Sequence, residues 1–156
     1  AWVALGSNID GPERRVRAAL EALSGIAETR LEAASSLYRN PPMGPQDQPD
    51  FINAVARLRT GLAPLALLDA LQAIERGQGR VHYRRWGERT LDLDLVVFAD
   101  RCIDEPRLVV PHPGVVSRAF VLRPLFEIDP VLHIPNHGAV DVLLGQVDDA
   151  ALQRLT

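Results

Sequence analysis

Apolar positions along the chain fall into stretches of two distinct periods. Ala1–Leu5 is a short apolar run ending in Gly6-Ser7-Asn8, which predicts a strand and then a turn. Asp10-Gly11-Pro12-Glu13 reads as a helix start, with Pro12 in the first turn and Glu13 favourable to the helix dipole. Val16, Ala19, Leu20 and Leu23 then recur at helical spacing, and Gly25 ends the element. Leu31–Tyr38 has mixed alternation and predicts one strand, followed by a loop over Asn40–Pro49 rich in Pro, Gln and Asp. Phe51–Thr60 alternates clearly: Ile52, Ala54, Ala56 and Leu58 share one face, while Phe51, Asn53, Val55, Arg57 and Arg59 share the other. Pro64 opens a second helix with Leu67, Leu68, Leu71 and Ile74 as its apolar stripe, closed by Gly77 and Gly79. Gln72 and Glu75 stand side by side on another face of it.

After a polar, basic segment over Arg76–Arg89 comes a strand, Leu91–Ala99. Strict alternation puts Leu91, Leu93, Leu95 and Val97 on one face and Asp92, Asp94, Val96 and Phe98 on the other. Shorter pieces follow: Leu108–Val110, a helical piece around Ser117–Leu122, and a C-terminal stretch to Leu155. The order β-α-β-β-α-β predicts an α+β fold with a ferredoxin-like core. Its sheet is antiparallel with helices on one side, and the C-terminal elements are available to cover the other as α/β/α layers.

Composition narrows the chemistry. The 156 residues suit a single domain over residues 1–156, and 47% hydrophobic with 24% charged residues is ordinary globular usage. All 17 basic residues are Arg; lysine is absent. A Walker A loop, a protein-kinase strand lysine and Schiff-base catalysis are thereby closed. Phosphate handling must run on Arg, metal or backbone. A net charge of -3 argues against a nucleic-acid partner. One cysteine, Cys102, makes neither an internal disulfide nor a Cys-rich zinc site. No apolar run reaches ~18 residues and no charged-then-apolar leader opens the chain, so the expectation is a cytoplasmic protein without a membrane partner.

Leu91-Asp92-Leu93-Asp94-Leu95 is the most informative stretch. Two carboxylates on one strand face repel when both are ionised, and a divalent cation offsets that; hard oxygen ligands favour Mg²⁺. Arg76, Arg80, Arg84, Arg85 and Arg89 stand just upstream, with Trp86 among them. A plain acidic edge strand beside a solvated basic loop would look the same. Together, though, the two features match what a triphosphate with Mg²⁺ requires, the cation bridging phosphate to carboxylate and guanidinium forks neutralising the rest.

Arg85-Trp-Gly-Glu-Arg-Thr-Leu-Asp-Leu-Asp-Leu95 resembles the signature of the 6-hydroxymethyl-7,8-dihydropterin pyrophosphokinases of folate biosynthesis. Ala4-Leu-Gly-Ser-Asn8, Tyr38 through Asn53, Gln78-Gly-Arg-Val81, Val110-Pro-His112, Arg118-Ala-Phe120 and Leu125-Phe-Glu-Ile128 occur in that family's order and approximate spacing. The resemblance implies transfer of diphosphate from ATP to the pterin hydroxymethyl group with release of AMP, and two Mg²⁺ ions. It implies Asp92 and Asp94 as metal ligands and Arg80 and Arg89 as phosphate-stabilising groups. Asp92 would also touch the pterin, whose further contacts would be Asn40, Pro41, Met43, Phe51, Asn53, Trp86 and Phe120. Phe51 and Phe120 would sandwich the ring, and Phe51 stands where many relatives carry Tyr. Gln72, Glu75, Leu95, Arg107 and His112 would join Arg80 and Arg89 on the ATP side. ATP and the pterin would be the partners of a monomer.

Two other readings of the bare pattern stay open. Ferredoxin-like nucleotidyltransferases also carry paired Asp on a strand, but release pyrophosphate where a pyrophosphokinase releases AMP. A non-catalytic ligand-binding domain of this fold would show no Mg²⁺-dependent turnover.

Overall fold

The computed structural model describes residues 1–78 and 90–155. Its elements in chain order are β1 (Trp2–Ser7), α1 (Pro12–Ser24), β2 (Thr29–Ala34), β3 (Leu37–Asn40), β4 (Phe51–Thr60), α2 (Pro64–Gly77) and β5 (Asp92–Val97). There follow β6 (Ile103–Glu105), β7 (Leu108–Val110), a 3₁₀ turn at Val115–Ser117, α3 (Ala119–Ile128), β8 (His133–Ile134), β9 (Gly138–Ala139), α4 (Val140–Leu144) and β10 (Gln153–Leu155). The main sheet runs β10-β3-β4-β1-β5, with β2 also on β4, and every pairing is antiparallel. β2 and β3 lie end to end along one edge of β4, so the core is the ferredoxin-like order the element pattern predicts.

Two apolar layers sandwich the sheet. On one face Val16, Ala19 and Leu23 of α1 and Leu67, Leu68 and Leu71 of α2 pack on Val3, Leu5, Ile52, Ala54, Ala56, Leu93 and Leu95. On the other, Val121, Leu122 and Leu125 of α3 and Val140, Leu143 and Leu144 of α4 pack on Ala4, Val55, Val96 and Val97. The C-terminal elements therefore do cover the second face. α3 continues to Ile128, beyond the piece predicted around Ser117–Leu122, and runs through Pro124. A proline there forfeits the hydrogen bond to the carbonyl four residues back, but the buried stripe of α3 carries the helix across it.

Strict alternation fails in two places, each at a register shift. β1 pairs with β5 as Val3↔Leu95 and then Trp2↔Val97, leaving Val96 as the extra residue. Beyond that bulge Val97 joins Val96 in the α3/α4 layer and Phe98 packs with the α1/α2 layer, the reverse of what simple alternation predicts. The predicted strand Leu31–Tyr38 is likewise two strands. At the break, Ser35 exchanges bonds with β4: its N–H donates to the Val55 carbonyl at 2.8 Å, and its hydroxyl accepts from the Val55 N–H at 2.9 Å. A second bulge at Glu32, with Arg30 and Glu32 exposed beside it, interrupts the outer edge of β2 against pairing with another strand.

Glu127, on α3, reaches the β2–β3 break. Its carboxylate accepts from the Tyr38 hydroxyl at 2.7 Å, the Ser36 N–H at 3.0 Å and the Ser36 hydroxyl at 2.9 Å. Burial alone would raise the Glu127 carboxyl; the bonds from Tyr38 and Ser36 outweigh it and hold it below its ordinary 4.5. Burial first, and the bond to Glu127 second, push the Tyr38 phenol well above its ordinary 10.0. A depressed carboxyl adds stability above its unfolded value and loses it as pH falls through the folded one; a raised phenol adds stability below its unfolded value and loses it as pH rises. The melting temperature should therefore fall more steeply below pH 4.5 in the native chain than in Glu127→Gln. Calorimetry across that range checks it, and parallel curves would count against the linkage.

Among the described residues no helix is long and apolar enough to cross a membrane.

Candidate active site

The centre of the sheet builds the floor of a cleft. β1 lies between β4 and β5, and its Gly6 is registered against Asn53 on one side and Asp92 on the other. Ala4 stands likewise between Val55 and Asp94. Period two puts all six residues on one face. The two small residues on the central strand thus leave a trough between Asn53 and Val55 on one side and the carboxylates Asp92 and Asp94 on the other. Gly6 is required there: a Cβ would lie 2.7 Å from the Asn53 side-chain oxygen.

Asn53 is buried, and its amide nitrogen donates to the Asn40 side-chain oxygen, while the Asn40 amide donates to the Pro41 carbonyl at 3.1 Å. The Pro/Gln/Asp-rich loop that follows is tied down from below. Buried Asn8 donates to the Gln48 side chain at 3.0 Å and to the Pro49 carbonyl at 2.9 Å. Gln46 closes the loop on itself through the Pro42 and Gly44 carbonyls. Asn8 converts what reads as irregular sequence into a fixed wall, which holds Met43 at the rim.

Above this floor the N-terminal turn of α3 brings Phe120 and Val121, and the cleft of about 280 Å³ is completed by Phe51, His112 and Arg118. Eight of the site residues expected from sequence thus converge on one cleft: Asn40, Met43, Phe51, Asn53, Asp92, Asp94, His112 and Phe120. Pro41 adjoins it through its carbonyl. Five further lining residues carry no role in the sequence pattern: Ala4, Leu5, Gly6, Arg118 and Val121. All but Val121 stand inside the motifs that carry the family resemblance, which is the signal the sequence offers for them.

His112 accepts the Gly114 N–H on Nδ1 at 3.0 Å, so its ring proton sits on Nε2. Burial pushes this imidazole below its usual value; the Asp94 charge opposes that and the Arg118 charge adds to it. The Arg118 guanidinium carbon lies 5.8 Å from the centroid of the Phe120 ring. It passes so close to Gly114 that a Cβ there would sit 2.6 Å from Nε. Asp92 and Asp94 are half-buried. Among the described residues no three acidic, His or Cys side chains group as a metal cage. Two carboxylates on one face, with the other positions open to substrate oxygens and water, is the donor set that suits Mg²⁺ bound together with phosphates.

The remaining ATP-side candidates lie elsewhere. Glu75 is not on a solvated helix face: it is buried, and its Oε2 accepts the Leu93 N–H at 2.8 Å, anchoring α2 to β5 between the two aspartates. The Leu95 side chain is in the α1/α2 core, so only its backbone is available to a ligand. Gln72 and Arg107 do meet, on an exposed surface: Arg107 Nη2 donates to the Gln72 side-chain oxygen at 3.3 Å and to Asp69 at 2.5 Å. Asp69 stands in none of the family-like motifs, and only the fold sets it beside Arg107. Arg80, Trp86 and Arg89 lie outside the described residues.

Residues 2–130 match the model of the 7,8-dihydro-6-hydroxymethylpterin-pyrophosphokinase family. The chain is 48% identical over 155 residues to the 2-amino-4-hydroxy-6-hydroxymethyldihydropteridine pyrophosphokinase of Haemophilus influenzae, covering 99% of this chain and 97% of that protein. It is 51% identical over 154 residues to the Pseudomonas aeruginosa protein of the same name, covering 99% and 95%. Among solved structures, the wild-type Plasmodium falciparum HPPK-DHPS with pteroate superposes with a TM-score of 0.74 at 14% identity. That alignment covers 94% of this chain and 42% of that one, so this chain spans less than half of it and the likeness is one of fold. With a family match over most of its length and relatives aligned nearly end to end, the chain belongs to the 7,8-dihydro-6-hydroxymethylpterin-pyrophosphokinase family.

Proposed function

We propose that this pyrophosphokinase transfers diphosphate from ATP to the hydroxymethyl group of 6-hydroxymethyl-7,8-dihydropterin in the Gly6 cleft, releasing AMP. The observation that carries this reading is the row Asn53–Gly6–Asp92 across three strands. It sets an amide, a bare floor and a carboxylate side by side, as a flat polar ring with a phosphate acceptor at one end requires.

The pterin lies on Gly6 between Phe51 and Phe120, each aromatic contact adding roughly 0.5–1.5 kcal/mol beyond burial. Asn53, oriented by Asn40, presents its amide to the ring edge, and Asn40, Pro41 and Met43 close that end. The hydroxymethyl group points toward Asp92. The hydroxymethyl oxygen attacks the β-phosphorus and gives its proton to solvent, while the bond from the β-phosphorus to the α–β bridging oxygen breaks and that oxygen leaves with AMP. Such a transfer needs alignment and charge neutralisation more than covalent help. Mg²⁺, two ions with ATP, held by Asp92 and Asp94, would supply positive charge on the phosphate oxygens. The His112 Nε2 proton and the Arg118 guanidinium face the same end of the cleft and donate to phosphate oxygens. Arg80 and Arg89 share that duty, and Trp86 closes over the pterin. Gln72, Arg107 and the Leu95 backbone hold the nucleoside; Glu75 acts by fixing β5. Residues 1–156 form one catalytic domain, monomeric and cytoplasmic, with no nucleic-acid or membrane partner.

Incubation with ATP, Mg²⁺ and 6-hydroxymethyl-7,8-dihydropterin should yield AMP and the pterin diphosphate in equal amounts, read by anion-exchange chromatography. Pyrophosphate in place of AMP would indicate nucleotidyl transfer, and no turnover would indicate a binding domain.

A further inference from the structure

Glu127 lies outside the cleft, seven residues after Phe120 on α3. Two helical turns put both residues on the same side of that helix. The break between β2 and β3 takes the Ser36 N–H out of the strand ladder, and the Glu127 carboxylate receives it, together with the Ser36 and Tyr38 hydroxyls. Arg154 of β10 closes the group, donating to the Ser36 hydroxyl at 3.0 Å and approaching Glu127 at 3.4 Å. Tyr38 is buried and registered against Asn53, and Asn40, two residues on, is registered against Phe51. One carboxylate therefore joins the helix that carries Phe120 to the strand that seats Asn40 and flanks Asn53.

We propose that Glu127 is a positioning residue for the pterin end of the cleft, holding the α3 wall and the β3–β4 wall at the spacing a stacked ring needs. This rests on the reading of the Gly6 cleft as the pterin site. The chemistry calls for a carboxylate. Four donors, the Ser36 N–H and hydroxyl, the Tyr38 hydroxyl and the Arg154 guanidinium, converge on two acceptor oxygens, whereas glutamine offers one oxygen and turns an NH₂ toward a donor. With the carboxylate gone, the Ser36 N–H and Tyr38 hydroxyl lose their acceptor, and α3 is released from β3 at the end opposite Phe120. Misplacing a wall by a fraction of an ångström weakens a stacked, hydrogen-bonded ligand while leaving the nucleotide surface around Gln72 and Arg107 untouched.

The test is calorimetric binding of the pterin, with a non-hydrolysable ATP analogue and Mg²⁺ present, and of the analogue alone. In Glu127→Ala the pterin Kd should rise about tenfold or more and the nucleotide Kd by a clearly smaller factor, since Gln72 and Arg107 lie off the α3 wall and only Arg118 lies on it. Tyr38→Phe should weaken pterin binding in the same direction. The Tyr38→Phe/Glu127→Ala double variant should be no weaker than Glu127→Ala, because both act through one contact. If Glu127→Ala does not fold, Glu127→Gln, which keeps the volume, is measured with the same expectation. A folded variant with unchanged pterin affinity, or one in which both ligands weaken alike, overturns the proposal. AMP formation by the native chain in the same preparation separates the two readings. Normal turnover with unmoved pterin affinity removes only the role of Glu127, whereas absent turnover removes the assigned function and this inference with it.

Discussion

Asp94→Asn should lower the rate of AMP formation by ~10³ or more while leaving the fold intact. Asn matches Asp in shape, and the backbone at this position is fixed twice, by the Ala4↔Asp94 pairing and by the Glu75 bond to the neighbouring Leu93 N–H. The strand should therefore keep its register and the melting temperature should scarcely move. What is lost is charge. Among the described residues the cleft offers two carboxylates, and lysine is absent from the chain. A neutral amide is a poor ligand for a hard dication, and one carboxylate holds such an ion much more weakly than two. Asp92→Asn should behave alike. Single-turnover AMP release, measured with thermal melting, decides it. A rate within about tenfold of the native chain would remove Asp94 from the chemistry.

Gly6→Ala should raise the KM for the pterin by roughly 10- to 100-fold and leave that for ATP nearly unchanged, the fold-change that about 1–3 kcal/mol of overpacking produces. The added Cβ meets the Asn53 side-chain oxygen at 2.7 Å. Asn53 cannot swing aside without breaking its bond to Asn40, so the methyl group either displaces the amide or occupies the floor. Both outcomes act on the pterin. Gly77→Ala is the control, since a Cβ there meets nothing within 4 Å. Equal effects of the two substitutions on pterin KM would show that the floor of the cleft is not where the pterin lies.

These two residues differ in how visible they are from sequence. Asp92 and Asp94 stand out because period two on one strand brings them together without help from any other element. Asn53 and Phe51 are legible for the same reason. Gly6 is not: its importance comes from Asn53 on a neighbouring strand, 47 residues away, and only pairing register sets them side by side. Glu75 shows the opposite failure. Its helical spacing from Gln72 suggests a shared polar face, yet it turns inward because the Leu93 N–H stands opposite and a buried carboxylate is tolerable when hydrogen-bonded. Val97 and Phe98 change faces because one extra residue, Val96, enters the ladder against β1, and a strand's own pattern does not reveal a bulge imposed by its neighbour.

By itself the sequence determined the element order, the apolar stripes of α1 and α2, the paired carboxylates and the closure of lysine chemistry. Each of these depends on near neighbours along the chain or on composition. The tertiary structure decided which face of the sheet carries the cleft and that α3 roofs it with Phe120 and Arg118. It also decided that Asn8 fixes the loop over Asn40–Pro49, and that one carboxylate, Glu127, ties the two walls together. Those depend on strand register and on contacts between elements far apart in the chain. Local periodicity can name the faces of an element, but long-range packing selects what each face meets.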